Sequence, residues 1–104
     1  MTELSTWGRF AEPAVLILVS LASGAKHGYA IMEEVKAMTG TSMRAGTLYA
    51  ALNRLEHGGL IEPLPAEDRR KPYRLTAAGR AFVRDHLTTM SAFARKGLRR
   101  LTAP

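Results

Sequence analysis

Apolar residues recur along this chain at helical spacing, interrupted by short polar breaks. The pattern predicts four helices, with a β-ribbon before the last. From Pro13 to Ser23, the residues Val15, Leu16, Leu18, Val19 and Leu21 leave almost no polar face, so this first helix belongs in the centre of the core. Pro13 suits a first helical turn, and Gly24 ends the helix. A second helix is expected over Gly28–Met38. There Ile31, Val35 and Met38 recur on one side, Glu33, Glu34 and Lys36 lie outside, and Gly40 stops the helix. A third starts near Arg44, with Thr41 or Ser42 as capping candidates, and it ends at Gly58-Gly59. Leu48, Leu52 and Leu55 form its inner stripe, with Ala51 beside them. Two helices joined by so short a turn make a helix-turn-helix.

Leu60–Leu64 and Arg70–Leu75 read as strands around a Pro-Ala-Glu-Asp turn. Pro63, Pro65 and Pro72 cannot donate to a ladder, which restricts this region to a small two-stranded ribbon with open edges. Thr76 then caps a fourth helix that runs to about Leu101, roughly 39 Å at ~1.5 Å per residue. Along it Val83, Leu87, Met90, Ala94, Gly97 and Leu101 are spaced 4-3-4-3-4, with Phe82, Phe93 and Leu98 beside them, a seam for another helix. Residues 1–10 are mostly polar, with Trp7 and Phe10 interspersed, and form either a loose arm or a short docked helix. The fold class is therefore mainly α with a small two-stranded β wing: a winged helix-turn-helix plus a long C-terminal dimerisation helix. The 104 residues divide into an arm (1–11), the winged helix-turn-helix (12–75) and the last helix (76–104) of a single domain.

Composition narrows the function. The hydrophobic fraction is 46% and the charged fraction 23%, ordinary for one soluble domain with a small core. The absence of cysteine excludes disulfides, Cys-ligated zinc and a Cys nucleophile. The longest apolar run, Ala14–Ala22, is broken by Ser20 and is too short to span a bilayer, and no secretory signal is evident. A cytoplasmic location with no membrane partner is expected. The net charge of +6 is unevenly placed. Residues 1–68 hold five Lys/Arg and eight Asp/Glu, whereas residues 69–104 hold ten Lys/Arg and a single acid, Asp85, so the second part carries +9. A field of that sign favours polyanions, although a basic helix face can also be merely solvated.

The outer face of the third helix has the surface of an element that reads duplex DNA. Gly46, Thr47 and Ala50 are small and let the backbone approach a groove. Arg44 and Asn53 can donate to base edges, with Arg54 on the flank. An ordinary Ala-rich surface helix would show the same residues, and it is the order helix, helix, turn, helix, ribbon that favours recognition. Arg69, Arg70, Lys71 and Arg74 on the ribbon are candidates for phosphate or minor-groove contact; Glu67 and Asp68 at the same tip offer internal ion pairs instead. Tyr29 and Tyr49 each place a hydroxyl near a helix start and can donate to a phosphate, or can be half-buried with the hydroxyl in water. Val83, Leu87, Met90, Phe93, Ala94, Leu98 and Leu101 are the candidate dimer interface. Trp7, Phe10, Met90 and Phe93 line an effector pocket if the arm packs on the last helix, and a plain dimer core otherwise. His27, His57 and His86 are far apart and lack carboxylates at ligand spacing, and no nucleophile or paired-acid motif is present, so neither metal, cofactor nor catalysis is expected.

Several of these pieces together resemble a known family. His27-Gly28-Tyr29 opens the second helix and Gly46-Thr47-Leu48-Tyr49 lies in the third. Arg54-Leu55-Glu56 and Gly59-Leu60-Ile61 follow, then Tyr73-Arg74-Leu75-Thr76 and Gly79. In order and spacing over about residues 12–82, this is similar to the PadR family of winged-helix transcriptional regulators, in the shorter subfamily with a single C-terminal helix. The resemblance implies a homodimeric repressor on a palindromic operator, with the third helix in the major groove, the wing on the backbone, and the first and last segments dimerising. It also implies that Tyr29 and Tyr49 contact phosphate, that Arg69, Arg70 and Lys71 are the basic residues of the wing, and that a small aromatic or hydrophobic effector can release the DNA. Pro72 departs from the pattern, standing where the family has a second aromatic or another hydrogen-bonding residue, and implies a shorter or distorted ribbon. Two other functions fit the same features: a winged helix used for protein–protein contact, and a multidrug-binding module in which DNA binding is secondary.

Overall fold

The computed structural model describes residues 12–103. The elements run α1 (Pro13–Leu21), β1 (Lys26–His27), α2 (Gly28–Thr39), α3 (Ala45–His57), β2 (Ile61–Pro63), β3 (Pro72–Leu75) and α4 (Ala77–Thr102). As its lack of a polar face requires, α1 is central, packing against α2, α3, α4 and β3. Ile17, Leu18 and Leu21 from α1 meet Ile31 and Val35 from α2 and Leu48, Ala51, Leu52 and Leu55 from α3. Ile61, Tyr73, Leu75 and Val83 close the other side. The one buried polar residue of this core, Ser20, donates its hydroxyl to the carbonyl of Ile17 at 2.7 Å and so needs no partner outside its own helix.

Helix α1 stops at Leu21, two residues before the expected end, and Lys26 folds back over that end. The Lys26 ammonium donates to the carbonyl of Ser20 at 2.6 Å and to that of Gly24 at 3.3 Å, and it pairs with Glu34 at 3.5 Å. A cation on the free carbonyls at a helix C-terminus is favourable twice over, as a hydrogen bond and as a charge on the dipole. Helix α2 ends at Thr39, one residue later than expected, and its C-cap Gly40 takes the left-handed conformation (φ 77°). Neither Thr41 nor Ser42 caps α3. The N-cap is Arg44, in extended backbone and without a side-chain cap bond, so the connection runs two residues further than the polar Thr-Ser pair suggested.

The expected two-stranded ribbon is part of a three-stranded antiparallel sheet in the order β1-β3-β2. The two-residue strand β1 adds Lys26 opposite Tyr73 and His27 opposite Pro72. On the other edge Ile61, Glu62 and Pro63 face Leu75, Arg74 and Tyr73. The ladder is shorter than Leu60–Leu64 and Arg70–Leu75, as Pro72 implied. It continues through the Leu64 N–H to the Pro72 carbonyl at 2.8 Å, is interrupted, and resumes only as an isolated bridge between Glu67 and Arg70. Pro72 is accommodated as the first residue of its strand, where no donor is demanded of it.

The end of α3 and the start of α4 are built as one joint. The N–H of Leu60 reaches the Leu55 carbonyl and that of Gly59 the Glu56 carbonyl, both at 3.0 Å, a Schellman stop with Gly59 at φ 76°. Thr76 then binds this stop from the other side: its N–H donates to the Leu60 carbonyl at 3.1 Å and its hydroxyl to the Gly59 carbonyl at 2.6 Å. The same hydroxyl oxygen accepts from the N–H of Gly79 at 3.0 Å and caps α4. Gly79 is buried against Leu60 so closely that a Cβ there would overlap the Leu60 carbonyl. Gly79→Ala should therefore cost about 3 kcal/mol or more in urea unfolding, and Thr76→Ala about 1–2 kcal/mol. A Gly79→Ala protein of near wild-type stability would show that the joint is loose.

Candidate nucleic-acid interface

Helix α3 spends Leu48, Ala51, Leu52 and Leu55 on the core, which leaves Gly46, Thr47, Tyr49, Ala50, Asn53 and Arg54 on the outside, with Arg44 exposed at the N-cap. A Cβ added at Gly46 would meet nothing within 4 Å. Glycine inside a helix costs roughly 0.5–1 kcal/mol relative to alanine, and nothing in the fold requires it here. Its effect is external: beside Thr47 and Ala50 it leaves a shallow strip of backbone at the start of α3 that another surface can approach closely.

Gly28 has the opposite character. A Cβ there would lie 2.7 Å from the Tyr49 hydroxyl oxygen and 3.2 Å from Leu48. The Tyr49 side chain therefore crosses from α3 to the first turn of α2, and a Cβ at residue 28 would push its hydroxyl aside. Tyr29, the next residue, is 60% exposed. Tyr49 is 53% exposed, so both tyrosines are rings partly packed on the protein whose side chains can still be reached from outside, as either reading of them requires.

The four ribbon cations are not equivalent. Arg74 faces Glu62 across the β2–β3 register with Nε at 2.7 Å from its carboxylate, an exposed pair worth at most about 1 kcal/mol. The Lys71 ammonium sits 5.4 Å from the centre of the Tyr73 ring, a cation–π contact that orients it along the wing. Arg70 places Nη1 3.3 Å from Nε2 of His27. Arg69, at the tip, makes no hydrogen bond or ion pair among the described residues. Glu67 and Asp68 form no ion pair at the tip: the ion pairs among the described residues are Lys26–Glu34 and Arg74–Glu62. The tip is a two-residue turn closed by Glu67 N–H to the Arg70 carbonyl and Arg70 N–H to the Glu67 carbonyl, both 2.8 Å. Asp68 and Arg69 have φ of 48° and 68°. Tight hairpin turns of this kind favour Asn-Gly or Asp-Gly, so an arginine in the second position is strained.

On α4 the expected seam divides. Val83 is 4% exposed and belongs to the protomer's own core, so it is unavailable to a partner. Beyond it Leu87, Phe93, Leu98 and Leu101 are exposed, Phe93 at 77% and Leu101 at 83%, with Ala94 exposed and Met90 half-buried among them. Phe82 is stacked on His86 with ring centres 6.0 Å apart. Trp7 and Phe10, the other half of the expected effector pocket, lie outside the described residues. No group of three or more metal-ligating side chains occurs among the described residues, and no described helix is long and apolar enough to cross a membrane.

Three packed helices, a small antiparallel sheet with a basic hairpin, and a long last helix together define a winged helix-turn-helix. Residues 17–85 match the transcriptional regulator PadR-like family, and the chain belongs to it. Solved structures agree. A transcriptional regulator from Clostridium thermocellum has a TM-score of 0.75 at 27% identity, covering 86% of this chain and 89% of its own. A PadR family transcription regulator from Clostridium difficile has a TM-score of 0.73 at 26% identity, with 86% and 96% covered. RosR of H. salinarum has a TM-score of 0.71 at 30% identity, with 91% and 92% covered. An uncharacterized 37.1 kDa protein in transposon TN4556 of Streptomyces fradiae is 37% identical over 83 residues. That match covers 80% of this chain and 24% of the relative, so the chain spans about a quarter of that protein's length.

The contact that the sequence did not mark is that of His27 with Arg70, since a two-residue strand carries no alternation from which to read its pairing. The wing tip also yields a test. Replacing Arg69 by glycine relieves the positive φ, offset in part by the freer unfolded chain, and should raise stability in urea unfolding by about 0.5–1 kcal/mol. A loss of stability would show that the turn holds no strain.

Proposed function

We propose that the protein is a DNA-binding transcriptional repressor that acts as a homodimer on a palindromic operator in the cytoplasm. The observation that carries this reading is the outer face of α3. Its residues are exposed, it is shallow at Gly46, and Arg44 stands exposed at its N-cap, while the wing offers Arg69 with no side-chain partner among the described residues. Arg44, Gly46, Thr47, Ala50, Asn53 and Arg54 read base edges in the major groove, where a bidentate arginine–guanine contact discriminates by about 1–3 kcal/mol. Tyr29, Tyr49, Arg69, Arg70, Lys71 and Arg74 hold phosphates, Arg74 only by exchanging its bond to Glu62. Helix α3 itself carries few cations, so affinity rests on the wing and shape specificity on the helix. A regulator of this kind needs no catalytic group.

The apolar strip of α4 from Leu87 to Leu101 supports the homodimer, since a row of exposed apolar residues including Phe93 and Leu101 on one long helix marks an interaction surface. Two-fold pairing would set the half-sites about one helical turn apart, ~10 bp, or a multiple of it. A small aromatic or hydrophobic effector would act by changing the angle between the two α4 helices and so the fraction of dimers that fits the operator.

Operator sequences selected from a randomised duplex pool test the reading. Arg44→Ala should weaken binding to the selected sequence at least tenfold more than to random duplex; equal losses would leave α3 no base-reading role. Arg69→Ala should lower affinity on every sequence and flatten the salt slope by about one unit per protomer. In sedimentation, Leu87→Glu should give monomers, and a persistent dimer would refute the α4 interface.

A further inference from the structure

We propose that His27 and Arg70 together form the seat for one DNA backbone phosphodiester, at the base of the wing. This rests on the DNA-binding reading above and adds a residue and a defined contact to it. The Nδ1 atom of His27 accepts from the N–H of Ala30 at 3.4 Å. A neutral imidazole whose Nδ1 accepts carries its proton on Nε2. That Nε2 lies 3.3 Å from Nη1 of Arg70, and a guanidinium only donates. Two N–H donors thus meet with no acceptor between them. The other tautomer lets Nε2 accept from Arg70 but turns Nδ1–H against the Ala30 N–H. In either neutral form the pair is one acceptor short. An oxyanion lying across Nε2–H and Nη1–H supplies it, with a charge-assisted bond from the arginine.

The surroundings leave that position open. Glu67 and Asp68 line the same crevice, yet neither is within ion-pair distance of Arg70. Lys26, also in the crevice, has its ammonium committed to the Ser20 and Gly24 carbonyls and to Glu34. Arg70 is exposed and His27 half-buried, so the seat opens to solvent on the wing side. The pairing of His27 opposite Pro72 brings the two side chains together across 43 residues of sequence. One phosphate held there touches the helix-turn-helix and the wing at once and fixes the angle between them.

A double-mutant cycle on the full chain with a mixed-sequence 24-bp duplex tests the seat. His27→Asn keeps a side-chain oxygen to accept from Ala30 and removes the donor facing Arg70; Arg70→Ala removes an exposed guanidinium whose side-chain contact among the described residues is His27 itself. Each single change should weaken binding about tenfold, and the double variant should lose little more than either one, because both act on one phosphate. Losses that multiply would overturn the seat while leaving DNA binding intact. A wild-type protein that binds no duplex at low salt would overturn the seat and the DNA-binding reading together. Saturation of the His27 ring nitrogen signals by inorganic phosphate alone, with no further change on adding duplex, would overturn the backbone assignment in favour of a free anion.

Discussion

The arrangement depends most on the close approach of α4 to the end of α3. Thr76 is held by two hydrogen bonds to the Gly59-Leu60 stop, and Gly79 lets the helix backbone settle against the Leu60 carbonyl. Because the stop and the cap share the same few atoms, the axis of α3 and the axis of α4 are set relative to one another. The strand between them, β3, emerges from the same joint with Leu75 and Tyr73 in the core. In the proposed dimer, this joint would carry a movement of α4 to α3 and to the wing through one close contact rather than through a linker.

The wing extends this logic with charge. Its position is set on one edge by β2 and on the other by the two residues of β1, so β3 is the central strand of a sheet that also touches the start of α2. Its cations differ in what they are free to do. Arg74 is tied to Glu62, Lys71 leans on Tyr73, Arg70 meets His27, and Arg69 stands at a strained turn with no partner among the described residues. A strained residue with a long cationic side chain at an exposed tip is better explained by what the side chain reaches than by what the turn prefers.

Much of this was legible in the sequence because it is periodic or because it is punctuation. The central position of α1 followed from its lack of a polar face, and the stop after α3 from Gly58-Gly59. The cap at Thr76 and the length of α4 followed from a single hydroxyl residue before a long helical pattern. What escaped depends on partners remote in sequence. Strand β1 is two residues long and exists only because β3 passes beside it. The early end of α1 comes with Lys26 returning to the Ser20 carbonyl. The N-cap of α3 fell on Arg44 because the turn, and not the capping preference of Thr41 or Ser42, decides where that helix starts. Val83 fits the outward seam by spacing, but α4 begins against the core and turns outward only after its first two turns.

The central claim is that the exposed face of α3 and the wing meet duplex DNA together. Mapping amide chemical shifts of the full chain on adding a mixed-sequence duplex at low salt tests it most directly. The account predicts the largest changes at Gly46, Thr47, Tyr49 and Ala50, at Asp68–Lys71 and at His27–Tyr29, with α1 unaffected. Changes confined to α4, or none at all, would contradict it.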